Sequence, residues 1–267
     1  MAELTLDGVT LAYDDRGEGT PVFLFVHGWA CDRQCWAAQL DEFSRDHRCV
    51  AVDLRGRGGS PATSPFGVGR ALEDLAALIR ELGAGPVVVV GHSLGGIIAL
   101  ALNGRYPELV LGIVTIDSPI TSETGAGSPR SVAAIREAGS MSAVARFIST
   151  FDYDPPHTGA HDYVQRTMMT CPADIGSGML EDLHLVGADM QRLLREADRK
   201  PFMMIWAEKP LGDPGWIREN TNFVRQEPVA GTGHFVQIEQ PEMTNALLRA
   251  FLDDVSNDPR ATPKGGG

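Results

Sequence analysis

The sequence predicts an α/β protein with a mostly parallel, doubly wound sheet. Short apolar, β-branched runs recur along the chain, most of them followed by Gly, His or Asp. Strands covered by helices on both faces read as continuous runs of this kind. Between them lie apolar stripes at helical spacing, and strands alternating with helices imply parallel pairing through right-handed crossovers. The 267 residues suffice for one such unit with a sizeable core.

Residues 3–15 alternate through Leu4, Leu6, Val9, Leu11 and Tyr13 around Asp7-Gly8, the pattern of a β-hairpin with a tight turn. Later strands are expected at Val22–Val26, Cys49–Val52, Pro86–Val90, Leu109–Ile116 and Phe202–Trp206, with a short one at Glu227–Ala230. One helical stripe runs through Leu72, Leu75, Ala76, Ile79 and Leu82 and closes at Gly83; a second runs through Leu94, Ile97, Ile98, Ala101 and Leu102. A third, opened by Pro241, uses Met243, Leu247, Ala250, Phe251 and Leu252. Residues 120–200 break the alternation, with helical segments near 129–138, 141–151, 160–170 and 178–197 and no clear strand. They read as a helical insertion between two sheet strands. Residues 256–267 are polar, end in Pro-Lys-Gly-Gly-Gly, and read as a flexible tail.

Composition excludes several classes. Apolar residues make up 43% and charged residues 22%, an ordinary globular balance. Lys and Arg total 23 against 35 Asp and Glu, a formal charge of −12. The Arg residues are scattered, which argues against nucleic-acid partners and against anionic membrane surfaces. No apolar run approaches the ~20 residues of a spanning helix, and the first residues lack a basic region followed by an apolar one. Cys31, Cys35, Cys49 and Cys171 match no zinc spacing or disulfide framework. A cytoplasmic, reduced protein acting on a small molecule is the expectation. The oligomeric state is not encoded in any pattern.

The chemistry concentrates in Gly91-His92-Ser93-Leu94-Gly95-Gly96, where a Val-rich strand meets a helical stripe. A Ser on a strained strand-to-helix turn needs small residues two positions to either side, and the turn lifts its hydroxyl above the sheet edge. The following helix begins there, and the Leu94 N–H is free to donate to a developing oxyanion. A Gly-Ser loop without chemistry is the bland alternative, which the strand–turn–helix context disfavours.

On these residues the chain resembles the α/β-hydrolase fold family. His27-Gly28-Trp29 resembles its oxyanion loop, with Trp36 at the usual distance; Asp53–Ser60 resembles its loop after the fourth strand; Gly231-Thr-Gly233-His234-Phe235 resembles the segment carrying its histidine. The resemblance implies a core of residues 1–119 and 201–255 and a helical cap of 120–200 inserted after the sixth strand. It implies Ser93 as nucleophile, His234 as general base, and an oxyanion hole from the N–H groups of Trp29 and Leu94. The acid departs from the commonest pattern, because Pro210 occupies the usual position after the seventh strand. Asp117, at the end of the sixth strand, is favoured; Glu208 and then Asp213 are the alternatives. His27 and His92 read as hydrogen-bonded supports. His157 and His161 lie four apart near Asp154 and Asp162, but Pro155-Pro156 precedes them and a solvated loop is the favoured reading over a metal site.

No dinucleotide fingerprint or phosphate loop is present, so neither nucleotide nor flavin is expected, and the mechanism requires no metal. Trp29, Phe147, Phe151, Met168 and Phe235 are the expected pocket residues, and an apolar roof favours a small or medium ester or lactone. A dianionic substrate would call for Arg in the pocket, with Arg33, Arg130 and Arg166 as candidates. The leading function is a serine esterase or lactonase working through an acyl-enzyme. The alternatives are a lyase, perhydrolase or cofactor-free oxygenase using the same triad, or a ligand-binding receptor. Ser at position 93 disfavours the epoxide hydrolases and haloalkane dehalogenases, whose nucleophile is Asp.

Overall fold

The computed structural model describes residues 1–6, 8–152 and 155–258. Asp7 of the predicted turn, Tyr153 and Asp154 of the insertion, and residues 259–267 of the predicted tail lie outside the described residues. The strands are β1 (Ala2–Leu6), β2 (Val9–Arg16), β3 (Val22–Val26), β4 (Cys49–Val52), β5 (Val87–His92), β6 (Val110–Ile116), β7 (Phe202–Trp206) and β8 (Arg225–Pro228). They form one eight-stranded sheet in the order β1-β2-β4-β3-β5-β6-β7-β8. β1–β2 and β2–β4 pair antiparallel, and every later pair is parallel.

Helices α1 (Ala37–Phe43), α2 (Val68–Glu81) and α3 (Leu94–Arg105) connect the first parallel strands. Between β6 and β7 the chain is helical: α4 (Ser128–Ala138), α5 (Ala145–Ile148), α6 (Thr158–Thr167), α7 (Ala173–Gly178), α8 (Leu183–Ala188) and α9 (Met190–Ala197), with no strand among the described residues. Then come α10 (Pro214–Asn220), α11 (Val236–Glu239) and α12 (Pro241–Asn257). This is the α/β-hydrolase architecture. β3 and β5 are neighbours, and the strand order reverses there, because β4 lies on one side of β3 and β5 on the other. The loops after β3 and β5 therefore diverge and leave a crevice at the carboxyl edge of the sheet.

β3, β4, β5 and β7 are buried at every position, as covered parallel strands must be. α3 is buried through Leu94–Asn103 with little amphipathic bias, the signature of a helix packed on all sides. Three expectations need correction. β8 begins two residues earlier than predicted and ends at Pro228; it pairs only with β7, and an edge tolerates a residue that cannot donate. α12 buries Thr244, Leu248, Phe251 and Val255, while Met243 of the predicted stripe is half exposed. The Thr244 hydroxyl reaches the Val236 carbonyl, which makes that polar position a packing residue. Finally, the predicted tail starts too early. Ser256 and Asn257 complete α12 and bond the carbonyls of Leu252 and Asp253.

Candidate active site

Ser93 sits between β5 and α3 with φ 53° and ψ −119°. Non-glycine residues avoid that region, and such strain persists only where its surroundings enforce it. The Ser93 N–H donates to the Ile116 carbonyl at 2.8 Å, which ties the turn to the end of β6. Glycine is obligatory on both sides: a Cβ on Gly91 would lie 2.2 Å from the Gly95 carbonyl oxygen, and one on Gly95 would lie 2.2 Å from that of Val26. Leu94 opens α3, so its N–H is among the first-turn donors that have no partner within the helix. Trp29 follows β3 across the crevice and is buried. Its indole N–H donates to the Gly176 carbonyl of α7 at 2.7 Å and ties the loop to the helical insertion.

Asp117 ends β6 with φ 39°, a left-handed conformation that Asp tolerates better than most residues. Its Oδ2 accepts from His234 Nδ1 at 2.7 Å. Its Oδ1 accepts from the N–H groups of Ala207 (3.3 Å) and Leu211 (3.2 Å), both in the loop after β7. A carboxylate only accepts, so the His234 proton is on Nδ1 and the Nε2 lone pair is free of it. His234 is buried, its N–H donates to the Phe151 carbonyl at 2.8 Å, and its ring lies 4.3 Å from the Phe151 ring. The two alternative acids are elsewhere and exposed. Glu208 accepts from the Gly231 N–H at 2.8 Å, and Asp213 caps α10 through the Trp216 N–H at 2.9 Å.

His27 and His92 are fully buried supports. His27 Nδ1–H donates to the Gly28 carbonyl, and its Nε2 accepts the Leu54 N–H. His92 Nε2–H donates to the His234 carbonyl at 2.9 Å. Burial lowers the pKa of both, and for His92, with His234 beside it, well below the ordinary value of 6.5. In the unfolded chain both protonate near pH 6.5, so the stability they contribute is present above that pH and lost as pH falls below it. Urea unfolding at pH 7.5 and pH 5.5 should show a fall toward the acid end, for His92 approaching ~1.4 kcal/mol per pH unit. A flat profile over that window would mean that both rings accept a proton inside the fold.

Ser93 and His234 line one cavity of about 340 Å³, together with His92, Leu94, Trp29 and Cys31. Phe147, Phe151, Met168 and Phe235 also line it, so all five expected pocket residues meet there. Phe147 is half exposed and packs edge-on against Phe151 at 5.0 Å. None of Arg33, Arg130 and Arg166 is among the lining residues. Arg33 pairs with Asp14 and Asp53, Arg130 is exposed on α4, and Arg166 lines a separate pocket beside α11. Burial pushes the Cys31 thiol up to about 12, so it carries no thiolate near neutrality. His157 and His161 do not converge: His157 Nε2–H donates to the Gly231 carbonyl, and His161 pairs with Asp152.

Glu239 is the residue that sequence reasoning missed. Its side chain is 1% exposed, and it accepts from the N–H groups of Gly233 (2.6 Å) and Phe235 (3.2 Å), the peptides either side of His234. Burial raises its pKa against the opposing pull of those two amides, His157 and His234. Phe235 is the N-cap of α11, and Glu239, four residues on, reaches back to its N–H. The capping-box spacing is three residues with Ser or Thr first, so no sequence signature marks it. Glu239→Gln keeps one acceptor and sets an NH₂ against the other amide. We expect kcat on an ester to fall roughly tenfold with KM held, because the histidine loses its exact seating. An unchanged kcat with a lowered Tm would reduce Glu239 to a structural cap.

A model of the alpha/beta hydrolase family matches residues 23–247, and the chain belongs to that family. Over 116 residues it is 38% identical to epoxide hydrolase 3 of Xenopus tropicalis, a match covering 42% of this chain and 32% of that one. The match thus spans about a third of the relative's length. Among solved structures, a thermophilic esterase from Thermogutta terrifontis superposes with a TM-score of 0.81 at 22% identity, over 96% of this chain and 99% of that one. The enol-lactonase from Burkholderia xenovorans LB400 gives 0.79 at 18% identity, over 94% and 100%. At such identities the likeness is one of fold. Among the described residues, no helix is long and apolar enough to cross a membrane.

Proposed function

We propose that this chain hydrolyses small or medium, uncharged carboxylic esters or lactones through an acyl-enzyme on Ser93. The observation that carries the reading is the His234–Asp117 pair at 2.7 Å, which leaves the Nε2 lone pair available in a cavity that the strained Ser93 also lines. Its volume of about 340 Å³ is at the lower end of the roughly 300–1,000 Å³ usual for small-ligand sites. The helices of the insertion act as the cap that closes it.

In this reading His234 Nε2 takes the Ser93 hydroxyl proton as Oγ attacks the carbonyl carbon. The N–H groups of Leu94 and Trp29 hold the oxyanion, and each such donor is worth roughly 10²–10³ in rate. The imidazolium, held by Asp117, returns the proton to the leaving oxygen. Water then repeats the sequence on the acyl-enzyme and releases the acid. The esterase and lactonase named among the solved structures support this substrate class. The epoxide hydrolase similarity supports hydrolysis more broadly, but opening an epoxide through an alkyl-enzyme ester needs a carboxylate nucleophile, and position 93 is Ser.

Rapid mixing with p-nitrophenyl butyrate and hexanoate tests the reading. A p-nitrophenolate burst equal to the enzyme concentration, or steady turnover with fluorophosphonate labelling of Ser93, is the expected result. Neither turnover nor labelling would mean that Ser93 is not activated, and the reading would fall.

A further inference from the structure

The loop that carries Trp29 is strained, and the strain has an identifiable restraint. Gly28–Cys31 form a four-residue turn, closed by the Cys31 N–H on the Gly28 carbonyl at 3.2 Å. Trp29 and Ala30 are its middle residues. Ala30 has φ 56°, at the turn position where a positive φ normally selects glycine. A left-handed alanine persists only where the surroundings over-determine it. The Trp29 N–H has no acceptor among the described residues. It lies within this turn, so relaxation of Ala30 toward an unstrained φ would turn the neighbouring planar peptides and re-aim it.

Two buried side chains hold the far end of the turn. Tyr163 of α6 is 4% exposed. Its hydroxyl accepts from the Asp32 N–H at 2.9 Å and donates to the Asp32 carbonyl at 3.0 Å, with Asp32 Oδ1 a second acceptor at 3.2 Å. The ring packs edge-on against Phe235 at 5.6 Å. Phenylalanine would fill that space equally well, so the hydroxyl serves the backbone of Asp32. Arg57, after β4, is 8% exposed. Its Nε–H donates to the Cys31 carbonyl at 2.9 Å and its Nη2 to the Thr167 carbonyl at 3.1 Å. Thr167 ends α6, where a helix carries partial negative charge. Arg33 and Arg55, nearby in sequence, pair with carboxylates instead. A guanidinium buried against carbonyls alone is costly as mere filling, and the groups it joins are the strained turn and α6. We propose that Tyr163 and Arg57 are positioning residues that clamp the turn to α6 and so aim the Trp29 N–H at the developing oxyanion. Docking of α6 then governs the rate of the chemical step as well as access to the cavity. This deepens, and rests on, the ester-hydrolase reading.

The test measures kcat and KM on p-nitrophenyl hexanoate, and Ki for 1,1,1-trifluoroheptan-2-one, in the wild type, Tyr163→Phe and Arg57→Gln. The ketone carries the same pentyl chain as the ester. Ser93 Oγ adds to its carbonyl carbon, the hydroxyl proton passes to His234 Nε2, and the resulting oxyanion sits where that of the ester would. A displaced donor forfeits part of the roughly 10²–10³ that a missing one costs. Each variant should therefore lose about tenfold in kcat and gain about tenfold in Ki, with KM within about twofold of wild type. A merely structural role gives a different pattern: a smaller folded fraction lowers kcat and leaves Ki unchanged, and a damaged pocket raises KM and Ki together. Either pattern in Tyr163→Phe, or no change at all, overturns the proposal while ester hydrolysis stands. Should Arg57→Gln fail to fold, Tyr163→Phe alone decides. Failure of the wild type to hydrolyse the hexanoate removes the hydrolase reading and this proposal with it.

Discussion

Ser93→Ala should abolish ester turnover, with a loss of order 10⁶ in kcat, as expected when a nucleophile acting as one unit with its base is removed. The burst and the fluorophosphonate label should vanish with it. The fold should remain, because the Ser93 side chain makes no capping bond to α3 and the backbone strain at φ 53° is the same for Ala as for Ser. A Tm within a few degrees of wild type checks this. Residual turnover at the wild-type level would place the nucleophile elsewhere. Cys31 also lines the cavity, but a thiol pushed to about 12 is a poor substitute at neutral pH.

The parts of this site legible in the sequence are those whose requirements are local. A turn that must pass Gly91 and Gly95 against neighbouring carbonyls writes its glycines at fixed offsets from Ser93. Asp117 and His234 are legible because a strand end or a Gly-rich loop at the carboxyl edge of a parallel sheet points into one crevice. What the sequence hides depends on contacts, near or far along the chain, that no residue pattern records. Glu239 matters because its carboxylate folds back onto the peptides of Gly233 and Phe235. Phe151 holds His234 through a backbone carbonyl, which no side-chain pattern records. Trp29 reads as an oxyanion-loop residue, but its indole bond to Gly176 depends on where α7 docks. The same applies to α12, whose buried face includes Thr244 because a carbonyl at Val236 lies within reach.

Asp117→Asn should lower kcat by about 10⁴-fold, while Glu208→Gln and Asp213→Asn should stay within about threefold. The hydrogen-bond pattern dictates the difference. Asp117 receives three donors: His234 Nδ1–H on Oδ2, and the N–H groups of Ala207 and Leu211 on Oδ1. Asn supplies one acceptor oxygen and one NH₂. Setting the NH₂ toward Ala207 and Leu211 faces donors with donors at a fully buried position. The oxygen therefore stays with the two backbone amides, and the NH₂ turns toward His234. The ring must then accept at Nδ1 and carry its proton on Nε2, the atom that should take the proton of Ser93. Binding of substrate survives, so KM should change little while kcat falls. Glu208→Gln retains an oxygen for the Gly231 N–H, and Asn at 213 still caps α10. The opposite ordering, with Glu208→Gln severe and Asp117→Asn mild, would move the acid to the loop after β7 and make the 2.7 Å contact at Asp117 a structural bond.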